Sequence, residues 1–302
     1  MPSLAAVKEF NASVNSSMKC PVGVFVGGTS GIGRGMASAF ARHHKGNARL
    51  IIVGRSKASA DALIASFPSP ANKLSEFIPC EATLMRKIDT ACAQLAQRVD
   101  KINYLVLTVG EGTTSREKTE EGVDRVFAAV LFGRFRWTQN LAPLVDVAAE
   151  AGEEAKIMTV ALGGKGGFID WDDLEITNNL LSRFSKTLPT YMDLVYQGFS
   201  KRHPKLAITH ANPGAVFTSL FRRSESWTVS ILGYIIAPLF YMISVSEDQC
   251  GEYLTYGLYR SEAGFSSVGE RGDAVQGYQG SDEEIERMWN YVYNKPNVPY
   301  PQ

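Results

Sequence analysis

Apolar residues along this chain fall into two patterns. Short runs are mostly apolar without a helical period: 22–26, 49–53, 104–109, 156–162 and 207–211, with Phe77 and Ile78 opening another. Between them lie longer stretches where apolar residues recur every three or four positions, as in Ile32, Met36 and Phe40, or Ile88, Cys92, Leu95 and Val99. The first pattern predicts strands buried on both faces and the second predicts amphipathic helices. A helix after 49–53, through Asp61, Leu63, Ile64 and Phe67, should stop near Pro68 and Pro70. Further helices are expected over 88–99, 122–147, 188–201 and 252–259. Alternation of such strands with helices implies an α/β fold with a mostly parallel sheet covered on both faces.

Composition adds limits. The 302 residues carry 31 basic and 31 acidic side chains, and 45% are hydrophobic. That excludes whole-chain disorder and argues against a nucleic-acid partner, which needs a basic surface. Cys20, Cys80, Cys92 and Cys250 are far apart, without metal-ligand spacing, so no metal site or disulfide framework is expected. His43, His44, His203 and His210 read as surface or strand-end residues. The first 20 residues lack an apolar signal core, so a cytoplasmic location is expected and the sequons at Asn11 and Asn15 read as chance matches.

The chemistry begins with Gly27, Gly31 and Gly33, which stand between the first strand and the first long helix. Glycines there permit a tight turn and close backbone approach to a pyrophosphate, and the helix start offers free N–H groups. A turn that binds nothing is the alternative. The second strand should end beside an adenosine ribose, where a carboxylate would favour a 2′-hydroxyl and a basic residue a 2′-phosphate. Here it runs into Gly54 and Arg55 with no carboxylate, which favours NADP(H) over NAD, unless Arg55 is only a solvated surface arginine.

The stretch Val26-Gly27-Gly28-Thr29-Ser30-Gly31-Ile32-Gly33 resembles the cofactor loop of the short-chain dehydrogenase/reductase family. The likeness continues with Glu81 after the third strand, Thr108-Val109-Gly110 after the fourth, and Pro213-Gly214-Ala215-Val216-Phe217-Thr218 after the sixth. It covers 21–260. The resemblance implies one doubly wound Rossmann-type domain over 21–270, with an N-terminal extension at 1–20 and a C-terminal extension at 271–302. It also implies cofactor contacts from Gly27, Thr29, Ser30, Gly31, Ile32, Gly33, Arg55, Glu81, Gly110, Lys186, Pro213, Gly214, Val216 and Thr218. The stretches 168–174 and 119–124 resemble retinol-dehydrogenase-like members and a divergent fungal branch, some of which act in secondary metabolism.

The family's proton chemistry uses an Asn on the long fourth helix, a Ser after the fifth strand and Tyr-x-x-x-Lys on the next helix. Spacing of four puts Tyr and Lys on one helix face. In this chain the Asn position holds Val130, the Ser position falls on Ala161 or Leu162, and Ser182-Arg183-Phe184-Ser185-Lys186 places Ser182 where the tyrosine belongs. Tyr196 and Lys201 are five apart and too close to Pro213 to replace it. Only Lys186 is retained, so a non-standard donor is expected: Tyr191, Ser182, Ser185 or a water held by Lys186. Tyr191 is the first to test, against the alternative of a tyrosine that packs the helix. Asp170, Asp172 and Asp173 read as a solvated loop and cap.

From 226 to 246 no charged residue occurs. The length could span a bilayer, but Gly233, Pro238 and the serines weaken that reading. The family places a substrate-covering segment here, 222–247, and the expectation is an apolar lid over a lipophilic ligand. A membrane-surface contact with Arg222 and Arg223 at its edge, peripheral to an internal membrane, is the alternative. The leading reading is an NADP(H)-dependent oxidoreductase interconverting a lipophilic ketone and alcohol. A non-redox isomerase, dehydratase or cyclase on the same scaffold, or a catalytically silent NADP-binding protein, are the competing classes. A homodimer through the long helices stays open, because Arg134 and Arg136 lie on the candidate helix.

Overall fold

The computed structural model describes residues 1–14, 19–111, 116–177, 180–216 and 245–295, with backbone alone at 180–184. After α1 (Leu4–Ser13), the chain alternates β1 (Val22–Val26), α2 (Gly31–His43), β2 (Arg49–Gly54), α3 (Lys57–Ala65), a short α4 (Ala71–Leu74), β3 (Glu76–Pro79), α5 (Met85–Ala96) and β4 (Tyr104–Leu107). The next helical segment starts as α6 (Arg125–Phe127), passes through a π-helical turn (Ala128–Phe132) and continues as α7 (Gly133–Glu150). Then come β5 (Lys156–Val160), α8 (Leu180–Arg202), β6 (Ala207–Ala211), α9 (Glu247–Arg260), β7 (Gly264–Val268), β8 (Ala274–Val275) and α10 (Asp282–Asn294).

The eight strands form one sheet in the order β3-β2-β1-β4-β5-β6-β7-β8, parallel except for the antiparallel β7–β8 pair. Strand side chains alternate between faces, and both faces are apolar. In β1 and β2, Val24, Val26, Ile51 and Val53 enter the core beneath α5, α7, α8 and α10, while Phe25, Leu50 and Ile52 enter the core beneath α2, α3 and α9. Chain order reverses between β1 and β4, which opens a crevice at the strands' C-terminal ends.

The termini join these cores. On α1, Asn11 is fully buried and donates to the Glu252 carboxylate (3.0 Å) of α9, so its sequon is not open to modification. Asn15 lies outside the described residues. Ile285, Met288, Trp289 and Val292 of α10 are buried beside α8, within the stretch read as a C-terminal extension.

Arg134 and Arg136 turn inward rather than outward: both are buried, and Arg136 makes a two-pronged ion pair with Asp89 of α5 (2.7 and 2.6 Å). They put no charge on an outer helix face, so they carry no weight on dimerisation. The histidines also need correction, because His44 and His210 are buried. His43 bonds Glu252 (2.8 Å) and His203 bonds Asp146 (2.7 Å).

Candidate active site

At the switch point the backbone does the work. Gly27 adopts φ +87° and Gly31 φ +59°, a region open to glycine at little cost. A Cβ on Gly33 would lie 2.5 Å from both the Gly27 carbonyl and the Thr108 hydroxyl, and one on Gly28 would lie 2.8 Å from the Phe25 carbonyl. Thr108 locks the turn by donating its hydroxyl to the Val26 carbonyl (3.0 Å). Ser30, the exposed residue that opens α2, makes no side-chain cap. The first-turn N–H groups of α2 are therefore left for an anion. Thr29 covers Gly54, while Ile32, half-buried, packs against the core beneath α2.

Beyond Gly54, Arg55 is 57% exposed and stands 3.7 Å from the Glu81 carboxylate, which also accepts from Thr83 (3.1 Å). Arg55 and Glu81 thus sit side by side at the ends of β2 and β3. Gly110, past the end of β4, has open space where a Cβ would point.

The other side of the crevice is built from side chains. Val130, expected from the sequence at the position of the family's Asn, lies within the π-helical turn and is buried. One turn later, Arg134 is buried with no carboxylate bonded to it among the described residues. Its guanidinium donates to the carbonyl of Val109 through Nε (3.1 Å) and Nη2, and through Nη1 to the Thr159 hydroxyl (2.7 Å) and the Val160 carbonyl (2.8 Å). Burial lowers its pKa to about 10. Arg134 therefore ties the C-terminal end of β4 to that of β5. Ala161 and Leu162 follow β5, and Leu162 and Phe168 are exposed apolar residues on the glycine-rich loop that leads to α8.

On α8, Lys186 is exposed, with no side-chain partner among the described residues, and Ser185 beside it is also exposed. Ser182 lies one turn before Lys186, where only the backbone is described. Tyr191 is not on their face: five residues of helix turn it by about 140°, and it is fully buried in the core. Burial of that kind fits the packing tyrosine rather than a group that meets substrate. Tyr196 is also fully buried, against Thr138 (3.3 Å). Asp193 fixes α8 to its surroundings by bonding His210 Nδ1 of β6 (2.6 Å) and accepting from the Tyr278 backbone N–H (2.8 Å).

Pro213 and Gly214 follow β6; Gly214 has φ +67° and donates its N–H to the Asn212 side chain (3.0 Å). Val216 pairs in a bridge with Val245, whose N–H donates to the Ala215 carbonyl (3.0 Å). Val216 and Val245 are thus held side by side just after Pro213 and Gly214. Thr218 and nearly all of the expected lid, 222–247, fall outside the described residues, as does 226–244 of the uncharged run. No helix of the described residues is long and apolar enough to cross a membrane. Among them no His, Cys, Asp or Glu group could hold a metal ion.

Two further motifs have structural explanations. In 119–124, Glu121 accepts from the N–H groups of Met85 (2.6 Å) and Arg86 (3.0 Å), capping α5 from outside, and Asp124 caps α6 (3.0 Å to Val126 N). In 168–174, Asp170 accepts from the Asp172 N–H (3.1 Å) and Trp171 lies 4.4 Å beneath the Arg287 guanidinium. Asp173 accepts from the Thr177 N–H (2.9 Å), so these aspartates are loop and cap. The residues that sequence reading missed are Arg134 and Thr159. A signal existed: Arg134 and Thr138 continue the otherwise apolar stripe of Val130 and Leu141.

Comparison with known proteins places this arrangement. Residues 22–167 match the short chain dehydrogenase family. An oxidoreductase of Emericella nidulans is 30% identical over 293 residues, covering 93% of this chain and 86% of that protein. An oxidoreductase of Emericella variicolor is 27% identical over 258 residues, covering 85% and 74%. Among solved structures, the fold is similar to a 3-ketoacyl-(acyl-carrier-protein) reductase from Brucella melitensis complexed with NADH (TM-score 0.60, 20% identity, 85% of this chain and 98% of that one). It is also similar to an NADPH-bound carbonyl reductase from chicken fatty liver (TM-score 0.59, 17% identity, 86% and 100%). With its parallel sheet and glycine turn, and with a relative 30% identical over most of both chains, the chain belongs to the short-chain dehydrogenase/reductase family.

Proposed function

We propose that this protein is an NADP(H)-dependent oxidoreductase that interconverts a lipophilic ketone and alcohol. The observation that carries the cofactor choice is Arg55, exposed at the end of β2 where the alternative nucleotide would want a carboxylate. Its pair with Glu81 is exposed and long, the kind worth about 0–1 kcal/mol. A 2′-phosphate, which makes charge-assisted bonds of roughly 1.5–3 kcal/mol, displaces it. The residues fit a dinucleotide because Gly27, Gly28 and Gly33 leave no room for a Cβ and Ser30 leaves the α2 amides free. Gly31 and Thr29 shape the same turn, Glu81 and Gly110 flank it, and Pro213, Gly214 and Val216 line the far side.

The bound nicotinamide supplies the hydride in carbonyl reduction and accepts it in the reverse direction. The chain's own residues bind it, orient the substrate and deliver a proton to the carbonyl oxygen. In our reading Lys186 orients the ribose and holds the proton-carrying water, with Ser182 one helical turn away; Tyr191 is a packing residue. Leu162 and Phe168, exposed and apolar at the site's rim, support a lipophilic substrate.

NADPH fluorescence titration, followed by absorbance assays on a panel of lipophilic ketones, tests the proposal. Saturable binding and oxidation of NADPH by at least one ketone are expected. Binding without oxidation across the panel would favour a silent protein, product formation without cofactor turnover a non-redox catalyst, and no binding would overturn the cofactor assignment. Arg55→Ala should weaken NADPH roughly 10- to 100-fold and NADH less than about twofold.

A further inference from the structure

We propose that Arg134 is a positioning residue that keeps a permanent positive charge under the crevice and so makes the protein bind the reduced cofactor more tightly than the oxidised one. The inference rests on the nicotinamide reading above and concerns the selectivity of that same site.

Three observations converge. Arg134 is buried to 3% exposure, and among the described residues every group it bonds is neutral: two backbone carbonyls and one hydroxyl. Buried cations ordinarily sit against a carboxylate. Arg136, two residues on, does so with Asp89. The charge of Arg134 is therefore not cancelled locally. Its location is the second observation. The Val109 carbonyl that it holds through two N–H groups belongs to the peptide joining Val109 to Gly110, at the mouth of the crevice. The third is the surrounding polar network. Thr159 accepts from Arg134, and Thr138 donates to the Arg134 carbonyl (2.9 Å) while its hydroxyl meets that of Tyr196 (3.3 Å). All three are buried and neutral, so they fix the guanidinium without offsetting it.

The consequence is electrostatic. The oxidised nicotinamide ring carries a positive charge that the reduced ring lacks. A fixed unit charge in a water-poor interior repels a like charge over more than 10 Å, because screening there is weak. Oxidised cofactor is thus disfavoured and reduced cofactor is not, which suits a catalyst that works toward the alcohol and releases its spent cofactor readily.

The test is equilibrium binding of NADPH and NADP+, by fluorescence and by competition, without substrate. Wild type should prefer NADPH. Thr159→Asp places a carboxylate against Arg134 and should cut the NADPH/NADP+ affinity ratio about tenfold, while Thr159→Asn, neutral and similar in size, should leave it within about twofold. Arg134→Gln should lower the ratio as Thr159→Asp does, and Arg134→Lys should keep it despite weaker binding of both forms. If Arg134→Gln does not fold, by circular dichroism, the Thr159 pair alone decides. Equal loss of both affinities in the charge-neutralising variants would reduce Arg134 to scaffolding and overturn the inference. Failure of wild type to bind either form would overturn the nicotinamide reading instead.

Discussion

The two sides of the crevice are built on opposite principles. Around β1 and α2 the decisive property is the absence of side chains, since Gly27, Gly28 and Gly33 are packed so closely that a single methyl would meet a carbonyl or a hydroxyl. Around β4, β5 and α8 it is the presence of particular side chains, with Arg134 bridging two strand ends and Lys186 standing exposed. A site made of backbone tolerates few substitutions and so keeps a recognisable motif. A site made of side chains can be rebuilt while the scaffold stays the same.

The contrast breaks most readily on the glycine side. Gly33→Ala forces a contact at 2.5 Å with backbone at the turn; NADPH affinity should fall by about 100-fold or more, with stability lower by about 1–3 kcal/mol. Titration and urea denaturation measure both, and unchanged affinity would show that the turn does not cradle the cofactor. Next comes the other side: Lys186→Ala should lower kcat/KM about 100-fold, within the range for loss of an acid–base group. Tyr191→Phe should change it by less than about threefold, and a large loss there would return the tyrosine to the reaction.

A smaller effect separates the buried nitrogen bases of the two sides. Arg134 stays charged in the interior, whereas burial brings His44 down to about 4, helped by neighbouring His43. Between about 6.5 and 4 the unfolded chain binds a proton at His44 that the folded chain refuses. The stability from neutral His44 is fully present above pH 6.5 and drains away as pH falls toward 4, about 3 kcal/mol in all. His44→Phe should therefore stabilise the protein by about 2 kcal/mol more at pH 5 than at pH 8 in urea denaturation. Glu252 titrates lower: burial would raise its carboxyl, but bonds from His43, Asn11 and Arg42 hold it to about 2. Its contribution is present above about 4.5 and is lost only as pH falls through 2. An identical gain from His44→Phe at both pH values would remove the histidine from the acid response.

How much of this was legible follows the same division. Strands β1, β2 and β4 stand out because both their faces are apolar, and the glycine turn stands out because nothing larger fits. Strand β7 does not: its interior positions include Ser266 and Ser267, and only pairing with β6 assigns it. The helix expected over 188–201 is longer, running as α8 from Leu180 to Arg202 with Pro189 inside it. Helix α10 carried a readable signature, the capping box of Ser281 and Glu284 ahead of apolar residues at helical spacing, although the family resemblance stops before it. The apolar stripe of Val130 and Leu141 hints that Arg134 faces inward, but only the structure shows that, among the described residues, no carboxylate meets it there.

The Val216–Val245 bridge has an evolutionary side. It sets Val216 beside Val245, and the entropy of bringing two chain positions together grows slowly with their separation, by about 0.6 kcal/mol for each doubling. A change in the length of chain between these two valines should therefore cost under about 1 kcal/mol and leave β6 and α9 in place. Exchanging the stretch between these two valines therefore tests, separately from the glycine turn, whether it sets the substrate range proposed above.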